Sequence, residues 1–221
     1  MEHMDDFNIN YEYICRYIRR TIKPSPAPLD ELERYAKQHD VPIAQPETMR
    51  FIEVLIKMSD AKRVLEVGAA IGYSAISLAM CGAEVVTIER SEDMLAQLNE
   101  NVTRHGFSDK ITVLPGDAAE VLRGMDERDF GQFDLIFLDA AKAQYMDFLP
   151  HCLRLLRPGG VLMSDNILYK GMVATDELAT RRKITIIRRL RKYLEYICNH
   201  ELLDTAIIPI GDGCALSWKK I

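Results

Sequence analysis

No cysteine in this sequence has a partner close by in the chain: Cys15, Cys81, Cys152, Cys198 and Cys214 stand singly, with no Cys-x-x-Cys pair. That scatter argues against a zinc site or a disulfide scaffold and fits a reduced, cytoplasmic compartment. No apolar run nears the ~18 residues that a bilayer-spanning helix needs, so no membrane partner is expected. The opening residues, Met1-Glu2-His3-Met4-Asp5-Asp6, are acidic where a secretory leader would be basic and then apolar. Positive charge is short too. A formal net charge of −5 argues against indiscriminate coating of nucleic acid, DNA included, while leaving room for a local basic patch. Repeats and low-complexity tracts are missing, and so is Gly-x-Gly-x-x-Gly, the turn that brings a pyrophosphate against the backbone.

What remains is a chain of 221 residues, 48% hydrophobic, enough for one domain with a sizeable core. We read residues 1–60 as a helical cap and 61–221 as the core. Apolar spacing predicts a helix over residues 7–22, broken by Pro24, Pro26 and Pro28, then helices at Leu29–Gln38 and Glu47–Met58. These three are expected to cap the ligand-binding edge or to build a dimer contact. From Lys62 strands and helices alternate. Strands fall at Arg63–Val67, Glu84–Glu89, Ile111–Leu114, Phe133–Leu138 and Gly160–Met163, with helices at Tyr73–Met80, Ser91–His105, Ala118–Arg123 and Ala143–Leu156 between them. Alternation of this kind implies right-handed crossovers and a parallel sheet covered on both faces. A long helix, Asp176–Asn199, follows. Strands Leu202–Ile208 and Ala215–Lys219 then close around Gly211-Asp212-Gly213, read as a tight hairpin turn that makes one strand antiparallel.

The chemistry gathers at strand ends. Gly68-Ala69-Ala70-Ile71-Gly72 follows the first strand, where glycine lets the backbone approach a ligand and a helix N-terminus offers unpaired N–H groups. By itself this segment is equally a plain strand-to-helix turn. Glu89 ends the second strand, where a carboxylate can take both ribose hydroxyls, and Asp117-Ala118 follows the third, in position for an adenine edge. A nucleoside cofactor without a pyrophosphate suits this edge, which puts S-adenosylmethionine ahead of NAD. Asp139, Asp165 and Asn166 supply three oxygen donors, a set that selects Mg²⁺, Mn²⁺ or Ca²⁺ over zinc. Taken singly, an Asp after a strand is a common helix cap, and Asp-Asn a common turn pair. Lys142, three residues beyond Asp139, is either a base for a metal-bound hydroxyl or a solvated surface lysine.

Val64-Leu65-Glu66-Val67-Gly68 through Gly72-Tyr73-Ser74, Thr87-Ile88-Glu89-Arg90, Gly116-Asp117-Ala118, Leu138-Asp139-Ala140-Ala141-Lys142 and Ser164-Asp165-Asn166 together resemble the cation-dependent O-methyltransferases of the catechol and caffeoyl-CoA type. The likeness implies a class I, Rossmann-like methyltransferase fold: a seven-stranded α/β sheet with its last strand antiparallel and helices on both faces. It implies a divalent cation, Mg²⁺ foremost, on Asp139, Asp165 and Asn166, and catalysis by Lys142 with Asp139. S-adenosylmethionine would be lined by Ala44 and its neighbour Ile43, Glu66, Gly68, Ser74, Glu89, Asp117, Ala118 and Asp139.

Two stretches bear on the acceptor. Ala140 and Ala141 stand where the catechol branch carries bulky residues, leaving a wider floor. Seven of the twelve residues Arg181–Lys192 are basic, on a helix whose apolar stripe is Ile184, Ile187, Leu190, Leu194 and Ile197. A solvated basic face is the ordinary explanation; the scarcity of interleaved Asp and Glu favours an anion-binding one. With Asp165–Val173 and Thr205–Gly213, this segment is similar to the bacterial tRNA 5-hydroxyuridine methyltransferases. That resemblance implies a cytoplasmic homodimer acting on the tRNA anticodon loop, with Lys170, Arg181, Arg182, Lys183, Arg188 and Arg189 as phosphate contacts. A small-molecule catechol or hydroxycinnamoyl O-methyltransferase is the alternative, and a cofactor-binding module without chemistry is a third.

Overall fold

The computed structural model describes residues 9–221. Its centre is a seven-stranded sheet in the order β3-β2-β1-β4-β5-β7-β6, made of β1 (Arg63–Val67), β2 (Glu84–Glu89), β3 (Ile111–Pro115), β4 (Phe133–Leu138), β5 (Leu156–Ser164), β6 (Leu203–Ile208) and β7 (Cys214–Lys219). The first five pair in parallel. β7 runs antiparallel to both of its neighbours, β5 and β6. This is the class I methyltransferase sheet expected above.

The helices are α1 (Glu12–Thr21), α2 (Ala27–Gln38), α3 (Pro46–Ser59), α4 (Tyr73–Met80), α5 (Glu92–Arg104), α6 (Ala118–Gly124), the short α7 (Glu127–Phe130), α8 (Tyr145–Leu155) and α9 (Ile184–Cys198). Because both faces of the central strands are covered, those strands read as continuous apolar runs: Leu135, Ile136, Phe137 and Leu138 of β4 are all fully buried. Alternate positions along each strand then feed two cores. One lies under α2, α3, α4 and α5 and holds Val64, Leu135, Phe137 and Met163. The other lies under α6, α8 and α9 and holds Leu65, Ile136, Leu138 and Leu162.

Beside shifts of one or two residues at other ends and the short α7, which the sequence reading did not foresee, four departures matter. The predicted helix over 7–22 is realised as α1, and residues 7 and 8 lie outside the described ones. The predicted helix Asp176–Asn199 starts only at Ile184; residues 176–183 form turns, opened by the Thr175 hydroxyl accepting the Glu177 N–H at 3.2 Å. Tyr193 joins Ile187, Leu190 and Ile197 on the buried stripe of α9, while Ile184 and Leu194 are only half-buried. β5 starts at Leu156, because the chain bulges between the pairs Phe133–Leu156 and Leu135–Val161. Gly160 sits in that bulge, where a Cβ would lie 2.9 Å from the Arg157 carbonyl oxygen. Finally, the hairpin between β6 and β7 is no tight turn but a five-residue loop, Pro209–Gly213.

Candidate active site

The strand ends are stepped, each held to its neighbour by one more backbone bond. Gly68 N–H donates to Ile88 O (3.0 Å), Gly116 N–H to Glu89 O (2.9 Å), Asp139 N–H to Val67 O (3.0 Å) and Asp165 N–H to Leu138 O (2.9 Å). The order reverses between β1 and β4, which is where an open α/β sheet leaves a crevice. Gly68 is what lets that crevice form: at φ +101° it packs so closely on β4 that a Cβ would fall 2.2 Å from the Asp139 carbonyl oxygen. The resulting cleft has a volume of about 560 Å³, and its walls include Ala44, Gly68, Ser74, Glu89, Asp117, Ala118, Asp139, Lys142 and Asn166.

On the β1–β3 side the acidic groups that line the cleft are already engaged. Glu89 accepts N–H bonds from Ala70, Arg90 and Ser91, each at 2.9 Å. The first of these steadies Ala70, whose φ of +46° is unusual for a residue with a side chain. Asp117 caps α6 by accepting from Ala119 N–H at 2.9 Å, and it also lines the cleft. Glu66 is not on the cleft wall. It is fully buried beneath it, accepting from the Thr87 hydroxyl at 2.5 Å, and its other oxygen is unpartnered. Burial raises its pKa to about 7, against the lowering effect of the Thr87 hydrogen bond.

The β4–β5 side is different. Lys142 opens a single 3-10 turn (Lys142–Gln144), and its Nζ lies 3.3 Å from Asp139 Oδ1. Asp165 is 1% exposed, behind the cleft wall, and Asn166 next to it reaches the wall in a left-handed conformation (φ +53°). Asp165 Oδ1 accepts from Asn166 N–H (2.7 Å) and from the Cys214 thiol (3.2 Å), whereas the buried Oδ2 has no partner. Burial and then the charge of Asp139 push the Asp165 pKa up. Two neighbouring carboxylates, one of them with an orphaned buried oxygen, and the amide of Asn166 form a donor set that fits a hard divalent cation. Among the described residues no group of three or more His, Cys, Asp and Glu side chains gathers elsewhere or here, since the third donor is an amide.

A profile of the O-methyltransferase family matches residues 22–220. The chain belongs to the O-methyltransferase family. This O-methyltransferase is 32% identical over 182 residues to a catechol O-methyltransferase of Niastella koreensis, covering 79% of this chain and 81% of the relative. It is 28% identical over 218 residues to a caffeoyl-CoA O-methyltransferase of Zinnia elegans, with 93% and 87% covered. Among solved structures, an O-methyltransferase from Bacillus cereus in complex with SAH superposes with a TM-score of 0.83 at 26% identity, covering 94% of this chain and 97% of that one.

The basic residues of the methyltransferase divide. Arg181 and Arg182 are exposed on the turn before α9, not on the helix, and Lys183 lies over the Tyr169 ring at 5.6 Å. Arg188 is exposed on α9. Arg189 Nη1 donates to Ala143 O at 3.0 Å, which ties α9 to the turn carrying Lys142. Lys170 is exposed in a left-handed conformation, its N–H bonded to Asp212 Oδ1 at 2.5 Å. The sequence reading missed Asp212 and its loop as supports of the site. Ile167 and Leu168 N–H groups donate to Gly213 O (2.9 Å) and Asp212 O (3.1 Å). The paired glycines around Asp212 were the available signal, and their meaning lay in a contact with a segment over forty residues earlier.

Proposed function

We propose that the protein is an S-adenosylmethionine- and divalent-cation-dependent O-methyltransferase acting on 5-hydroxyuridine in the tRNA anticodon loop. The observation that carries the chemistry is the carboxylate pair of Asp139 and Asp165, with an orphaned oxygen, beside a cleft sized for a nucleoside cofactor. S-adenosylmethionine supplies the sulfonium methyl when bound. Glu89 would hold its ribose through Oε2, which takes a single backbone N–H and keeps a lone pair, and Asp117 its adenine edge through Oδ2, on which no bond from the described residues falls. Asp139, Asp165 and Asn166 would hold the cation, which when bound supplies Lewis-acid stabilisation of the acceptor oxyanion.

The remaining work falls to this chain. The Lys142 amine, beside Asp139, takes the proton of the acceptor hydroxyl at its Nζ. Asp139 keeps that amine at the cleft wall. Ala140 and Ala141 leave a floor open to a flat ring, and holding acceptor against donor supplies much of the rate.

The tRNA acceptor is supported by the exposed Arg181, Arg182 and Arg188 on a segment that Arg189 ties to the Lys142 turn. A single-stranded loop allows the base to be splayed into the cleft while these cations hold phosphates. Hydroxyuridine presents its 5-hydroxyl beside the 4-carbonyl, an oxygen pair electronically similar to a catechol. A catechol acceptor is the second reading, favoured by the likeness to the Niastella koreensis enzyme. Charge reversal of Arg181 and Arg182 separates them. Transfer to 5-hydroxyuridine tRNA should fall, more steeply as salt rises, with transfer to a free catechol nearly intact. Equal effects on both acceptors would favour the catechol, as would unchanged 5-methoxyuridine in tRNA from a strain lacking the gene.

A further inference from the structure

We propose that Tyr145 and Cys214, neither of which faces the cleft, are positioning residues that set the bite of the carboxylate pair: Tyr145 ties together the two strand ends that carry it, and Cys214 fixes which oxygen of Asp165 is left to bind a cation. The inference rests on the cation reading above.

Tyr145 is fully buried at the start of α8. Its hydroxyl lies 3.1 Å from Leu138 O and 3.0 Å from Asp165 O, so one O–H is shared by two carbonyls across the gap between β4 and β5. Leu138 immediately precedes Asp139, and Asp165 is itself the second carboxylate. The tie therefore acts on the backbone at both donors at once. Tyr193 backs it. Its ring meets that of Tyr145 edge-on at 5.4 Å, and its hydroxyl pairs with Ser164 Oγ at 2.6 Å, one residue before Asp165. A buried phenol needs one partner to be satisfied; this one is placed to bridge two strands.

Cys214 acts on the side chain. Its thiol and the Asn166 N–H both donate to Oδ1 of Asp165, and Oδ2 receives nothing. Two donors on one oxygen stop the carboxylate from turning. A thiol is a weak donor, so it orients the group while leaving its charge available. Cys214 is held there as the first residue of β7, opposite Ile208 of β6, and by the close approach of Gly213 to Leu168, where a Cβ would lie 2.5 Å from Leu168 Cγ. Outer partners of this kind commonly change metal affinity about 10- to 100-fold without touching the ion.

A structural role alone would predict lost stability and no selective effect on metal. Titration of Mn²⁺ into the wild type, Tyr145→Phe, Cys214→Val and Cys214→Ser by calorimetry distinguishes the two, with S-adenosylhomocysteine affinity and the urea midpoint measured in parallel. Tyr145→Phe keeps the ring contact with Tyr193 and loses the tie, and Cys214→Ser keeps a donor that Cys214→Val removes. Tyr145→Phe and Cys214→Val should each weaken Mn²⁺ by about tenfold or more, with S-adenosylhomocysteine binding unchanged and Cys214→Ser close to wild type. Wild-type Mn²⁺ affinity in both the Phe and Val variants overturns the proposal, as does an equal loss of both ligands. Should Tyr145→Phe fail to fold, the Val and Ser variants decide alone. A wild type that binds no Mn²⁺ and still methylates in excess EDTA overturns the cation reading itself, and that result is visible before any variant is made.

Discussion

The two sides of the cleft treat their acidic residues in opposite ways. On the β1–β3 side, Glu89 takes three backbone N–H bonds and Asp117 caps a helix, so both are satisfied by the fold. On the β4–β5 side, Asp165 keeps a buried oxygen with no partner and a raised pKa, next to a second carboxylate. On the first side the acids that line the cleft are engaged, and the one orphaned carboxylate oxygen among the described residues there belongs to Glu66, beneath the floor. The other side buries a carboxylate beside a second one, and the cost of that burial falls when Asp165 takes up a proton or a cation. A site can thus be preformed in shape throughout and still be electrostatically unfinished in half of it.

The largest effect should come from the unfinished side. Asp139→Ala, or excess EDTA on the wild type, should cut turnover by about 10³-fold or more, with S-adenosylhomocysteine binding by the EDTA-treated wild type retained in calorimetry. Wild-type turnover in EDTA would dissolve the contrast. Glu89→Ala should act the other way round, weakening S-adenosylhomocysteine by roughly 10- to 100-fold, the scale of one or two charge-assisted bonds, with Mn²⁺ affinity unchanged. Gly68→Ala joins the two sides, since its Cβ would strike the Asp139 carbonyl. It should cost about 3 kcal/mol of stability by urea unfolding and weaken both ligands together.

The smallest effect is a pH slope. Glu66 titrates near 7 in the folded protein, above its ordinary 4.5, so the fold binds a proton there that the unfolded chain releases. Its contribution is fully present below pH 4.5 and is lost as pH rises through 7. The melting temperature of the metal-free protein should therefore fall between those values, and Glu66→Gln should make the descent shallower. An unchanged slope in the variant would remove Glu66 from the account.

Residues whose meaning is local could be read from the order of the chain. The glycine turn at Gly68, Glu89 at the end of β2 and Asp139 after β4 sit at the ends of strong apolar runs, and the runs themselves announce the strands. Lys142 was legible because it stands three positions after Asp139. What escaped is non-local. Tyr145 looks like one more apolar residue of α8 until its hydroxyl is seen between two strands, and Cys214 is 49 residues from the carboxylate that it orients. Glu66 shares the motif of the first strand, but strand alternation turns its side chain beneath the cleft floor. The start of α9 was misplaced for a different reason. Basic side chains extend a helical pattern on paper, whereas the Thr175–Glu177 turn withholds the backbone bonds it would need.

β7 follows β6 in the chain yet lies between β5 and β6 in the sheet. It brings Cys214 to Asp165, and the loop before it props up the segment from Ile167 to Lys170. Such a wedge closes only after distant parts of the polypeptide have met, a slow and entropically costly step. Competence for catalysis should accordingly be the last thing the polypeptide acquires on refolding: helix content and compactness return early, and the ability to take up an ion lags until that wedge has slid home.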